Sequence, residues 1–231
     1  MVAPPVKRWD LVIFDCDGVL VDSEPIANRV FAAQLAAAGL RMPVEEVMRR
    51  FMGRTRAGCI RHAEEILGRP LPPSFGDDWD RVLYQTLRSE LKAVEGIVAL
   101  LAELDVPCCV ATNSSVERLG IALQTTGLAR YFEGRAFSAA SVARPKPAPD
   151  LFVHAARTLG AAPSRCAVVE DTPTGVKAAR AAGMTAFGFA AAPHADAAAL
   201  AAQGARVCRT VNELAACLHG SFREWPGGSP D

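Results

Sequence analysis

Short apolar runs alternate with stretches of helical period along most of the chain. Leu11–Phe14 (LVIF) is continuously apolar and stops at Asp15, the pattern of a short buried strand. A helical period follows from about Glu24 to Ala38, with Ser23 as its expected N-cap and Gly39 as its stop. From Arg41 to about Leu91 the period is helical only: VEEVMRRFM, RAGCIRHAEEIL and DDWDRVLYQTLRSEL, separated by Gly53, by the Gly68–Pro73 cluster and by Gly76. After Gly96 the alternation resumes. Strands are expected at Pro107–Ala111, Arg135–Ser138, Cys166–Val169, Thr185–Phe189 and Arg206–Cys208. Helices are expected near Ile97–Leu104, Ser115–Thr126, Pro149–Leu159 and Thr174–Ala182. The tail from Ser221, ending GGSPD, is expected to fray.

Strands separated by helices of about 10–15 residues imply crossover connections and a parallel sheet. The all-helical stretch after the first strand is too long for one crossover. The expected fold is therefore α/β, a Rossmann-like parallel sheet core with an inserted α-helical cap domain. Its core would comprise residues 1–22 and 93–231, and its cap residues 23–92.

Composition narrows the classes of function. The 231 residues carry 25 Lys+Arg and 25 Asp+Glu, so the formal net charge is zero. With no basic block to neutralise a phosphate backbone, nucleic acid is not an expected partner. Half the residues are hydrophobic, which argues against disorder. No apolar run approaches the roughly 20 residues needed to span a bilayer. The opening MVAPPVKRWD lacks the charged-then-apolar form of a signal peptide, so a cytoplasmic protein is expected, with no membrane partner. The seven cysteines and four histidines have no zinc-ligand spacing, and buried free thiols are expected.

In an open parallel sheet, ligands bind outside the carboxyl ends of the strands. Here those ends carry Asp15-Cys16-Asp17-Gly18, Thr112-Asn113-Ser114, Arg144-Pro145-Lys146-Pro147 and Glu170-Asp171. Several carboxylates at one edge suit a hard cation, of which Mg²⁺ is the usual one. A carboxylate can act as nucleophile toward phosphorus if positive donors offset the repulsion, and Thr112 and Lys146 would supply them. Gly18 lets the backbone pass close to a ligand. Along the strand end Asp15 and Asp17 face one side and Cys16 the other. Each segment also has a plainer role: the D-x-D as a turn, Thr112-Asn113-Ser114 and Glu170-Asp171 as helix caps, and Lys146 as a solvated loop residue. Four coincidences at one sheet edge favour the joint reading, phosphoryl transfer.

FDCDGVLVDSE (Phe14–Glu24), ATNSS (Ala111–Ser115), ARPKPAPDLF (Ala143–Phe152) and VVEDTPTGVKAARAAGM (Val168–Met184) resemble the four motifs of the haloacid dehalogenase-like hydrolases, in that family's order. The helical insert resembles the cap of its β-phosphoglucomutase-like phosphatases. The resemblance implies that Asp15 is the nucleophile and Asp17 the general acid and then base. It implies Mg²⁺ on the Asp15 carboxylate, the Asp17 carbonyl and Asp171, with Glu170 close by. Thr112 and Lys146 match the phosphate-binding hydroxyl and lysine, and Asn113, Ser114 and Gly18 would line the same pocket.

Phe51-Met52-Gly53-Arg54-Thr55-Arg56 resembles a cap loop whose arginine, here Arg56, meets the far anionic group of a sugar phosphate. The family's mutases carry a histidine where this chain has Ala27, which weighs against a phosphosugar mutase. The dehalogenase branch lacks the second aspartate, so Asp17 weighs against that too. The cap wording and AAPHAD (Ala191–Asp196) are similar to bacterial sugar-phosphate phosphatases, including those acting on 6-phosphogluconate. The resemblance thus implies a small phosphorylated metabolite as partner, and the expected assembly is a monomer or weak homodimer. A phospho-acceptor signalling domain shares the residue types but has no cap and about half this length, and a catalytically dead binding domain would not keep every motif residue.

Overall fold

The computed structural model describes residues 8–51, 54–193 and 195–219. The expected separator at Gly53, the fraying tail, the leading residues 1–7 and His194 lie outside them. The chain divides into two compact units, Met1–Val21 with Ala93–Asp231, and Asp22–Lys92.

The first unit is a six-stranded parallel sheet with helices between its strands. The strands are β1 (Leu11–Phe14), β2 (Cys108–Thr112), β3 (Ala136–Ser138), β4 (Cys166–Glu170), β5 (Thr185–Phe189) and β6 (Arg206–Cys208), in the order β3-β2-β1-β4-β5-β6. The α/β expectation holds. All residues of β1, β2 and β4 are buried, as continuous apolar runs in a parallel sheet require. β2 and β4 each run one residue past the expected end, to Thr112 and Glu170. Thr112 pairs with Ser138 and Glu170 with Gly188, because the backbone ladder continues whatever the side chain. Polar groups are thereby held in the sheet itself, at its carboxyl edge.

The second unit holds α1 (Glu24–Ala37), α2 (Val44–Phe51), α3 (Arg56–Leu67) and α4 (Phe75–Glu90). Phe31, Leu35, Val47, Phe51, Ala63 and Phe75 are buried together, and Phe31 stacks on Trp79 with centroids 4.2 Å apart. Two local expectations change. Ser23 precedes α1, but its backbone is already helical (φ −90°, ψ −22°) and its side chain does not cap. Gly76 is no separator: α4 begins at Phe75, and a Cβ on Gly76 would lie 2.5 Å from the Arg56 guanidinium.

In the sheet unit, α5 (Ile97–Glu103), α6 (Val116–Thr125), α7 (Asp150–Thr158), α8 (Pro173–Ala181) and α9 (Ala197–Ala202) link the strands, and α10 (Val211–Leu218) follows β6. Ser115 caps α6 by accepting from Arg118 N, and Thr172 caps α8 by accepting from Gly175 N. Neither α9 nor α10 is among the expected helices, although Thr210-x-x-Glu213 is a start signal for α10, and Thr210 does accept from Glu213 N. All seven cysteines are free thiols, six of them buried. No described helix is long and apolar enough to cross a membrane.

Candidate active site

Asp15 follows β1 at the middle of the sheet, where its N–H donates to Val169 O (2.9 Å). The next residues turn back at once, with Leu20 N and Val21 N both donating to Cys16 O, and Val19, Leu20 and Val21 are fully buried. An apolar turn thus anchors a short polar strand end.

Lys146 comes to Asp15 from the loop after β3. Its ammonium has three donors. They go to Asp15 Oδ1 (2.5 Å), Glu170 Oε1 (2.6 Å) and Ala111 O (2.8 Å). Nζ also lies 4.7 Å from the ring centroid of Phe152. Asn113 fixes the lysine's backbone from both sides, accepting from Lys146 N and donating to Lys146 O, each at 3.1 Å. Asp15 Oδ2 carries no hydrogen bond among the described residues.

Lys146 is 6% exposed and Glu170 1%, so the triangle is dry. Burial pushes Asp15 up to about 7; the Lys146 ammonium opposes this, while Glu170 and Asp17 add to it. Burial alone would lower Lys146, but Asp15 and Glu170 outweigh it and raise the lysine above its ordinary range. Two carboxylates share one cation, and the site is short of positive charge.

Both oxygens of Glu170 are hydrogen-bonded. Oε1 accepts from Lys146, and Oε2 accepts from Thr172 N (3.1 Å) and Thr172 Oγ1 (2.9 Å). A Cβ on Gly175 would come within 1.8 Å of Oε1, so the neighbouring helix approaches only because that position is glycine. Glu170, expected close by the metal, is bonded here to Lys146 and Thr172.

Asp17 turns its carboxylate toward the start of α6, where Oδ2 accepts from Ser114 Oγ (2.7 Å) and Oδ1 from Arg118 Nη2 (2.8 Å). For a cation it would offer its backbone carbonyl. Gly18 has φ +77°, and a Cβ there would lie 1.9 Å from Asp171 Oδ2. The close approach expected at Gly18 is therefore made by the Asp171 carboxylate. Among the described residues no group of three His, Cys, Asp or Glu side chains is gathered for a metal. Lys146 stands between two of the acids, and the Asp17 carboxylate is turned to Arg118. The set that the family resemblance implies, the Asp15 and Asp171 carboxylates with the Asp17 carbonyl, is all oxygen. Such a set suits a hard cation that keeps several waters, which is the habit of Mg²⁺.

Thr112 Oγ1 accepts from Ser114 N (3.1 Å), and its own proton is given to no described residue. Of the residues expected to line a phosphate pocket, Thr112 thus has a donor to offer. The side chains of Asn113 and Ser114 are committed instead, one to the Lys146 backbone and the other to Asp17. Arg56 belongs to the helical unit, where Nη2 meets Asp77 Oδ1 and Nε meets Asp80 Oδ2, both at 2.9 Å. Its charge is answered by acids in the first turns of α4, where acidic residues are favoured in any case.

Arg118 and Thr172 were not singled out from the sequence. A basic residue in the first turn of a helix opposes the helix dipole, and that signal was available for Arg118. Thr172 had none beyond its place before a helix.

The family model for haloacid dehalogenase-like hydrolases matches residues 9–183. A 6-phosphogluconate phosphatase of Escherichia coli K12 is 33% identical over 190 residues, covering 82% of this chain and 86% of the relative. A fructose-1-phosphate phosphatase of the same organism is 30% identical over 192 residues, covering 78% and 96%. Among solved structures, a conserved haloacid dehalogenase-like protein of Agrobacterium tumefaciens C58 superposes with a TM-score of 0.83 at 39% identity, covering 92% of this chain and 99% of that one. The chain belongs to the haloacid dehalogenase-like hydrolases. It is an enzyme of the phosphatase kind, as these relatives are.

Proposed function

We propose that this enzyme hydrolyses small phosphorylated metabolites, sugar phosphates foremost, with Mg²⁺ as cofactor and an aspartyl phosphate on Asp15 as intermediate. One observation carries the reading: Lys146 holds Asp15 by Oδ1 alone and leaves Oδ2 without a partner among the described residues, two residues before a second aspartate. In the first step Asp15 Oδ2 bonds to phosphorus as the ester P–O bond breaks, and Asp17 gives its proton to the departing oxygen. In the second, water attacks the acyl phosphate, its proton passes to Asp17, and inorganic phosphate leaves with Asp15 restored. Thr112 donates to a phosphoryl oxygen, and Lys146 keeps the nucleophile aimed while offsetting its charge.

Asp15, the Asp17 carbonyl and Asp171 would hold the cation. When bound, it supplies the positive charge that the buried carboxylates lack. Glu170 is assigned to Lys146 and stays outside the metal set. The sugar-phosphate preference is supported by the named relatives, among them the 6-phosphogluconate phosphatase.

The test is phosphate release from a panel of phosphorylated metabolites, including 6-phosphogluconate and fructose 1-phosphate, with Mg²⁺ and with EDTA. Turnover of at least one sugar phosphate, lost in EDTA and restored by Mg²⁺, is expected. Full activity in chelator would remove the metal from the mechanism, and no phosphate release from any member would remove the reading itself.

A further inference from the structure

Both carboxylate oxygens of Asp17 are engaged at the start of α6. Ser114 Oγ donates to Oδ2 at 2.7 Å and Arg118 Nη2 to Oδ1 at 2.8 Å. The two donors are themselves held. Ser114 N donates to Thr112 Oγ1, and Ser114 O accepts from Ser138 Oγ at 2.6 Å. Arg118 N is bonded to the Ser115 cap, so the base of the arginine is fixed to the first helical turn. The Asp17 and Arg118 side chains are 19% and 22% exposed, so water competes little for this ion pair. A cation near a helix N-terminus works against the helix dipole, and the Asp17 carboxylate is the structure's compensating partner.

We propose that Arg118 is the positioning residue for Asp17: with Ser114 it forms a two-point clamp that sets where the acid–base carboxylate sits for proton transfer to the leaving oxygen. The inference rests on the phosphatase reading and adds to it a residue that touches no reacting atom. A single hydrogen bond from Ser114 leaves the carboxylate free to rotate about that contact. The second bond, from a planar guanidinium to the other oxygen, fixes the carboxylate plane. Catalysis by a positioned proton donor matters most when the leaving group is a poor one.

The experiment compares phenyl phosphate with p-nitrophenyl phosphate, two esters alike in size and without a distal anion. Phenolate, whose acid titrates near 10 like tyrosine, needs the proton; p-nitrophenolate leaves far more readily. kcat/KM is measured with Mg²⁺, because it ends at phosphoryl transfer and excludes the later hydrolysis step. Arg118→Ala should lower kcat/KM for phenyl phosphate roughly 10- to 100-fold, part of the usual worth of general acid catalysis. For p-nitrophenyl phosphate the loss should stay below about 3-fold on the same grounds. Arg118→Lys should recover much of the phenyl phosphate rate, and guanidinium ion added to Arg118→Ala should do so too, which separates lost positioning from a damaged fold. Equal losses on both esters, no loss on either, or no rescue by either route would overturn the assignment. If the wild-type enzyme releases phosphate from neither ester and from no sugar phosphate, the phosphatase reading falls and takes this inference with it. If it hydrolyses both and the ratio does not move in Arg118→Ala, only the inference falls.

Discussion

Asp15→Asn tests the chemistry and the electrostatics together. The amide keeps the size of the carboxylate, and its Oδ1 can still accept from Lys146 Nζ, now 2.5 Å away. What it removes is the nucleophilic charge, so turnover should fall roughly 10⁴-fold or more. The same charge is a burden on the metal-free fold. Asp15 is 8% exposed and its carboxyl is pushed up to about 7, above the ordinary 3.8. The folded state therefore binds this proton more tightly than the unfolded chain does. Stability contributed at this site is present below about pH 4 and is lost as the pH rises through about 7. Asparagine has no such proton, and it leaves Lys146 and Glu170 as a balanced pair. In EDTA at pH 8 the variant should be more stable than wild type, on the order of a few kcal/mol, with the gap closing toward pH 4. For a chain of this size that is on the order of 10 °C in Tm. Thermal melts from pH 4 to pH 8 in EDTA, beside phosphate-release assays in Mg²⁺, give both readings. A variant that keeps a tenth of wild-type activity would refute the nucleophile. A variant that melts lower than wild type at pH 8 in EDTA would refute the account of the buried charge.

Three further outcomes follow from neighbouring contacts. Gly18→Ala places a methyl group 1.9 Å from Asp171 Oδ2 at φ +77°; it should weaken Mg²⁺ binding, read as at least a tenfold higher Mg²⁺ concentration for half-maximal rate on the usual cost of disturbing a metal's surroundings, and an unchanged midpoint would contradict the Asp171 assignment. Glu170→Gln must turn its amide N–H₂ either to the Lys146 ammonium or to Thr172 N, so a buried donor faces a donor; urea unfolding should show a loss of about 3 kcal/mol, and a loss under about 0.5 kcal/mol would mean the triangle is not what holds Lys146. Arg56→Ala removes two partly exposed ion pairs and should cost no more than about 1 kcal/mol each in stability; a tenfold rise in KM for 6-phosphogluconate at that small cost would give Arg56 its expected role at the substrate, and an unchanged KM would refute that role.

The order of strands and helices could be read from the chain because it rests on local pattern. LVIF, CCVA and CAVV are apolar at every position, which only a strand buried on both faces requires, and the glycines and caps bracket the helices between them. The same runs point to Asp15, Thr112 and Glu170, since each is the first polar residue at a strand's carboxyl end. Partnership was a different matter. That Glu170 binds Lys146 depends on β4 lying beside β1 and on Gly175 letting α8 close over it. Arg118 reaches Asp17 across 101 positions because β2, which leads into α6, pairs with β1 on the other side. Arg56 meets Asp77 and Asp80 only through the packing of the helical unit, and the motif around Arg56 says nothing of where those acids fall. Periodicity is set by each residue's immediate neighbours, so the sequence determined the elements and the polar residues at their ends. Charges act through space over a few ångströms, and which charge stands within that distance of which was decided by strand order and close helix approach alone.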